Sequence, residues 1–129
     1  MARKSKPLVS RAEWPLMEAV WERSPLTAMD ITERVSLRSS KELSPQTIKT
    51  LLGRLVKKGA LNFRQQGNRY LYSPSVKRAD YVDRESESFL ERVFKGAADS
   101  LLAHFVNRTD LSAEEISRLR KLLDEKEAS

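Results

Sequence analysis

The chain has 129 residues, 40% apolar and 33% charged, with a formal net charge of +6 and no cysteine. These figures exclude disulfides and thiolate metal sites, suit one compact domain or a small domain with an appendage, and fit a reducing cytoplasmic setting. No apolar run approaches the roughly 18–20 residues needed to cross a bilayer, and the basic first eleven residues lack the apolar stretch of a signal peptide, so neither membrane insertion nor export is expected.

Charge is unevenly spread. Residues 1–78 hold sixteen Lys/Arg and six Asp/Glu, or +10, whereas residues 79–129 hold eight and twelve, or −4. A basic front joined to a mildly acidic back suggests a polyanion-binding part and a part with another task.

Ser10-Arg11-Ala12-Glu13 has the spacing of a capping box, and Trp14, Met17 and Trp21 follow at helical intervals. Pro15 is compatible only with the first turn, which moves the expected start toward Glu13 or Trp14. Ser24-Pro25 ends this helix. Thr27 with Asp30 marks a second start, carrying Ala28, Ile31 and Val35, and the polar residues 36–43 follow as a separating loop. The third helix has the clearest limits: Ser44 as N-cap, Pro45 at the first position and Gly59 as a left-handed stop. Its core face is Ile48, Leu51, Leu52 and Leu55.

At 100° per residue the opposite face centres on Gln46, Thr50, Gly53 and Lys57, flanked by Thr47, Lys49 and Arg54. No Asp or Glu occurs from residue 43 to residue 79. Amide, hydroxyl and cationic groups without competing carboxylates suit hydrogen bonds to base edges and phosphates. After Gly59 the period changes to two: Leu61 and Phe63, then Tyr70 and Tyr72, flank a Gly67-Asn68 turn, with Arg64 and Arg69 between them. Three helices followed by a short basic hairpin predict a winged helix-turn-helix over residues 1–75, with Phe63 counted in its core.

Residues 76–129 predict three more helices. Tyr81, Val82, Phe89, Leu90, Val93 and Phe94 mark a long one ending near Gly96; Leu101, Leu102, Phe105 and Val106 mark the next; and a second capping box, Ser112 to Glu115, opens one carrying Ile116, Leu119, Leu122 and Leu123. Three such helices bury little by themselves, so this region is expected to be covered, by a second copy or by packing back on the winged helix. The expected class is therefore mainly α with a small β-hairpin: a winged helix-turn-helix plus a three-helix dimerization region. His104 is the single histidine, no phosphate-binding glycine loop occurs, and no catalytic residue, metal site or cofactor is expected.

The segment Ser44-Pro45-Gln46-Thr47-Ile48-Lys49-Thr50-Leu51-Leu52-Gly53-Arg54-Leu55-Val56-Lys57-Lys58-Gly59 resembles the recognition helix of the BlaI/MecI penicillinase-repressor family. Ala12-Glu13-Trp14 with Met17 and Trp21 is similar to that family's first helix. Ser88-Phe89-Leu90 with Lys95-Gly96, then Ser100 to Val106, is similar to its dimerization region. The resemblance implies a homodimeric repressor of β-lactamase or related resistance genes, binding an inverted-repeat operator in double-stranded DNA. It also implies release by a regulatory protease that cuts in the dimerization region. The family's cleavage site is an Asn-Phe pair, and the matching position here is His104-Phe105. The loop at residues 36–43 is about two residues longer than in relatives, and the C-terminal cysteines of the family's copper-responsive branch are missing.

On these grounds Ser44, Gln46, Thr47, Lys49, Thr50, Arg54, Lys57, Arg64 and Arg69 are the expected DNA contacts. Gln46, Thr47, Lys49 and Thr50 face base edges, and Arg54, Lys57, Arg64 and Arg69 face phosphates. Tyr81, Phe89, Leu90, Val93, Leu101, Leu102, Phe105, Ile116, Leu119 and Leu122 are the expected dimer contacts. Two rivals stand beside this reading: a basic RNA-binding or ribosome-associated protein, which exposed sheet aromatics would favour, and a protein-interaction adaptor.

Overall fold

The computed structural model describes residues 9–38 and 43–129, with six helices and one hairpin among them in the order α1 (Trp14–Glu22), α2 (Ala28–Arg38), α3 (Pro45–Lys58), β1 (Leu61–Gln66), β2 (Arg69–Pro74), α4 (Arg78–Phe94), α5 (Ala98–Arg108) and α6 (Ala113–Ala128). The chain divides into two compact units, with the boundary between Val82 and Asp83.

In the first unit the local signals act as expected. The Ser10 and Glu13 side chains each accept a hydrogen bond from the other's backbone N–H, at 3.2 and 2.9 Å, and helix follows from Trp14 with Pro15 held in the first turn. Thr27 and Asp30 repeat that reciprocal pairing at the head of α2, both at 3.1 Å. The helix α2 runs on to Arg38, so residues 36–38 of the expected loop are helical; residues 39–42 lie outside the described residues. Ser44 caps α3 through the Thr47 N–H, and Gly59 stops it at φ 86°. Positive φ at Gly67, but not at Asn68, gives the hairpin its type II′ turn.

Leu16, Met17 and Val20 from α1, Ile31 and Val35 from α2, Ile48, Leu52 and Leu55 from α3, and Leu61 from β1 form a core with almost no exposed surface. Each such side chain contributes about 1.5–3 kcal/mol relative to exposure. The strands pair antiparallel with Phe63 opposite Tyr72 and Gln65 opposite Tyr70. Leu26 adds a one-residue bridge to the free side of β2: its N–H donates to the Tyr72 carbonyl at 3.0 Å and its carbonyl accepts from the Tyr72 N–H at 2.7 Å. Three helices, this bridge and a two-stranded wing make a winged helix-turn-helix, the class expected.

Two residues depart from expectation. Phe63 is not core: it is 49% exposed, because only Leu61 at the base of β1 reaches the helices. Tyr81, expected among the dimer contacts, does not lie on a free face: it is 3% exposed and belongs to the first unit. Its hydroxyl accepts the Val9 N–H at 2.8 Å, and its ring stands 5.8 Å from Trp14 and 5.7 Å from Trp21. The Trp21 indole N–H in turn donates to the Val76 carbonyl at 2.8 Å. The first compact unit thus extends through Val82, past the boundary expected at residue 75.

The second unit contrasts with the first. Lys95 and Gly96, at φ 52° and 83°, close α4, and Ser112 and Glu115 form the expected capping box before α6. Yet no side chain of residues 83–129 is buried among the described residues. No helix of the described residues is long and apolar enough to cross a membrane.

Candidate nucleic-acid interface

The Ser44 cap and the four core residues of α3 determine which way that helix faces. With Ile48, Leu51, Leu52 and Leu55 inside, the side chains of Gln46, Thr47, Lys49, Thr50, Arg54 and Lys57 are all exposed, and so are Arg64 and Arg69 on the wing. The two threonine hydroxyls are held locally. Thr47 shares a 3.0 Å hydrogen bond with Ser44, and Thr50 donates to the Gln46 carbonyl at 3.0 Å. Both threonine hydroxyls are thus engaged by neighbours on their own helix or its cap, whereas Gln46 and Lys49 offer free-ended polar groups. Ser44, expected as a contact, is engaged first as the cap.

Four carboxylates in the same unit, Glu13, Glu18, Glu22 and Asp30, are engaged by partners of their own. Glu13, 1% exposed, accepts from Lys58 Nζ at 2.5 Å. Burial pushes its pKa up, but the Lys58 ammonium and the Ser10 N–H outweigh that and hold it below the ordinary value. Glu18 pairs with Arg78, which also lies 6.0 Å from the centre of the Trp14 ring. Glu22 pairs with Arg34 and Arg38, and the Arg38 guanidinium lowers its pKa. The Asp30 carboxylate, lowered mainly by the Thr27 N–H and hydroxyl, is turned into the α2 cap. Lys49, Arg54, Lys57 and Arg64 have no ion-pair partner among the described residues, so their charge is available to a polyanion.

The remaining candidates lie in the second unit. Phe89, Val93, Leu102, Phe105, Ile116, Leu119 and Leu122 are between 37% and 61% exposed, and Leu90 and Leu101 are half-buried. Phe94 stands 6.0 Å from Phe89 and 6.1 Å from His104, ring centre to ring centre. His104 and Phe105 are exposed and sit within α5, at least three residues from either end rather than in a loop. No group of His, Asp and Glu able to hold a metal ion occurs among the described residues.

Sequence reasoning missed the Leu26 bridge and the exposure of the wing aromatics. Phe63 and Tyr70 stand 4.9 Å apart, and Phe63 and Tyr72 stand 6.2 Å apart, on one face of the hairpin. Their period-two spacing around Gly67-Asn68 was the available signal for a shared face; which part of that face stays in solvent was not in the pattern.

Comparison with known proteins agrees with this geometry. The family model described as penicillinase repressor matches residues 9–125. The penicillinase repressor of Bacillus licheniformis is 37% identical over 95% of this chain and 94% of its own, and the methicillin resistance regulatory protein MecI of Staphylococcus aureus is 36% identical over 92% and 94%. Among solved structures, the DNA-binding domain of the repressor BlaI, determined in solution, matches 61% of this chain and 94% of its own with a TM-score of 0.52 at 37% identity. The Bacillus licheniformis BlaI monomeric form in complex with the blaP half-operator matches the same shares with a TM-score of 0.50 at 35% identity. With a family match spanning nearly all of its length, two such relatives and a winged helix whose third helix presents an acid-free cationic face, this chain belongs to the penicillinase-repressor family.

Proposed function

We propose that the protein is a DNA-binding transcriptional repressor that acts as a homodimer on inverted-repeat operators of β-lactamase or related resistance genes. The observation that carries this reading is the exposed face of α3, where Gln46, Thr47, Lys49, Thr50, Arg54 and Lys57 stand together with no carboxylate among them. Gln46, Thr47, Lys49 and Thr50 read base edges in the major groove; Arg54, Lys57, Arg64 and Arg69 anchor phosphates. The unburied apolar side chains of α4, α5 and α6 support a homodimer, since a surface of that kind is ordinarily covered. A dimer places two reading heads on two half-sites related by a two-fold axis. Release follows cleavage at His104-Phe105 by a regulatory protease. Because the pair lies inside α5, that helix must unwind locally before a protease can hold it extended.

Selection of bound duplexes from a random pool tests the class and yields the operator at once. On that operator, Arg54→Ala should weaken binding to every sequence and flatten the salt dependence of log affinity by about one, while Thr47→Ala or Lys49→Ala should relax preference at one position by about 1–3 kcal/mol. Equal loss on all sequences from all three changes would overturn the division into readers and anchors. The exposed Phe63 and Tyr70 favour a second reading, stacking of single-stranded RNA on the hairpin. Enrichment of single-stranded RNA over duplex DNA in the same selection would choose that reading.

A further inference from the structure

A single helix, α4, carries the chain from the first unit into the second, and the first unit holds its base at several points. The Ser75 N–H donates to the Ala60 carbonyl at 3.0 Å, and the Val76 carbonyl accepts from the Trp21 indole N–H. Arg78 donates twice to Glu18, through Nε at 3.2 Å and Nη2 at 3.3 Å, while its guanidinium stays close to the Trp14 ring. Tyr81, one turn further, is buried against Trp14 and Trp21, whose rings stand 5.4 Å apart, and its hydroxyl takes the Val9 N–H. Four anchors thus fall within seven residues of chain.

Most of this anchoring is not needed to orient α3. Glu18, Trp21 and Arg78 are outside the buried set that fixes the direction of that helix. What the anchors do constrain is α4. No Gly or Pro occurs from residue 75 to residue 94, and the helix crosses the end of the first unit without a break, so residues 83–94 continue from a base that is held. An unbroken helix without these residues has no ready point of kinking. Twelve residues of helix span about 18 Å, so a tilt of about 10° at the base carries the far end by about 3 Å.

Resting on the homodimer proposed above, we propose that these side chains form a clamp that sets the direction in which α4 leaves the reading head, and thereby the half-site spacing that a dimer accepts. Tyr81, Trp21 and the Glu18–Arg78 pair are positioning residues. They choose among operators by the separation and phase of the half-sites, whereas α3 chooses by base sequence. The helical pitch of DNA makes this choice steep, because each added base pair both moves and turns one half-site relative to the other.

The test compares the full-length chain with one carrying Glu18→Gln, Trp21→Phe and Tyr81→Phe together, which keeps a ring at both aromatic sites but drops the ion pair and two hydrogen bonds. Three duplexes are titrated below the melting range of both proteins: the selected operator, the same operator with two base pairs added at its centre, and a single half-site. Two base pairs turn the half-sites by roughly 70° relative to each other. The unaltered chain should lose roughly 100-fold on the lengthened operator, as its second head falls out of register, and the triple variant roughly tenfold or less. Half-site affinity and sedimentation as a dimer should be the same in both. Glu18→Gln alone leaves every buried group in place and should move the ratio of the two operator affinities the same way by about two- to threefold, which keeps the proposal open to failure should the triple variant not fold. A clamp that only stabilised the head would lower the thermal midpoint and leave that ratio unchanged in both variants; this result would overturn the proposal. So would a loss on the half-site as large as the loss on the operator, since the substitutions would then act on α3. If the unaltered chain binds its operator but tolerates the added base pairs, the spacing assignment fails alone. If it binds no duplex, the functional reading fails with it.

Discussion

The two units of this molecule are built from similar helices and differ in what those helices have to pack against. In the first unit, α1, α2, α3 and the base of the hairpin converge, and Leu16, Ile31, Ile48, Leu55 and Leu61 are each 1% exposed or less. In the second, amphipathic helices, of which α6 opens on a complete capping box, leave Leu102, Phe105, Leu119 and Leu122 at 38–61% exposure. Local helix signals are therefore present in both units, and extensive tertiary burial is present only in the first. In the proposed homodimer, a unit whose helices form but whose apolar faces are otherwise wet would draw its stability from association, coupling its folding to the second copy.

The largest expected effect follows from removing part of that surface. A chain ending at His104 lacks α6 and the last turn of α5, and with them Phe105, Val106, Ile116, Leu119, Leu122 and Leu123. It should sediment as a monomer, and its affinity for an inverted repeat should fall by roughly 10²–10⁴ as the second reading head is lost. Its head should melt as in the full chain, because no core residue has been touched. A truncated chain that still dimerizes and binds equally well would mean that the exposed faces of α5 and α6 do not hold the dimer, and that cleavage at His104-Phe105 is not the switch.

What could be read in advance follows the same division between local and distant interactions. The capping pairs Ser10 with Glu13, Thr27 with Asp30 and Ser112 with Glu115 span three residues each, so their geometry is written in adjacent sequence. The same is true of the Gly59 and Gly96 stops and the Gly67 turn. The face of α3 was legible because a helix with a defined core side has a defined opposite side. Tyr81 was misplaced because its period fits the apolar stripe of α4, while its partner, the Val9 N–H, lies 72 residues away. The Leu26 bridge and the exposure of Phe63 depend in the same way on where the hairpin lands against α1 and α2, which periodicity does not encode.

A smaller effect sharpens the account of how the head is held together. Glu13, at the head of α1, accepts from the Ser10 N–H and pairs with Lys58 at the end of α3, 45 residues away, so one carboxylate ties the start of α1 to the end of α3. Its folded pKa lies below the unfolded one, because the Lys58 ammonium and the Ser10 N–H outweigh burial. The ionised form is then bound more strongly in the native state. That stability is complete above the unfolded pKa and is lost as pH falls through the folded pKa. Glu13→Gln keeps an acceptor for Ser10 but loses the ion pair, and should cost about 1–2 kcal/mol at pH 7, since Lys58 is partly in solvent. Urea midpoints of the two forms should converge as pH falls below the carboxylate range. A difference that persists unchanged in acid would assign the effect to packing rather than charge.

The smallest expected effect separates stability from function within α3 itself. Gly53 lies on the exposed side of the helix with ordinary helical geometry, and a Cβ built there meets nothing within 4 Å. A glycine inside a helix costs up to ~1 kcal/mol relative to alanine, so Gly53→Ala should raise the stability of the head by about 0.5–1 kcal/mol. Nothing in the free protein explains why this position is not alanine already. The proposed complex does, since Gly53 sits between Thr50 and Lys57 on the face that enters the major groove, where a methyl group occupies space that DNA would take. The same substitution should therefore stabilise the free chain and weaken operator binding by a few-fold, opposite signs from one methyl group. Denaturant midpoints and operator titrations on the same preparation read both. If binding strengthens along with stability, this side of α3 does not approach DNA closely, and the reading face must be rotated away from Gly53 toward Thr47 and Arg54.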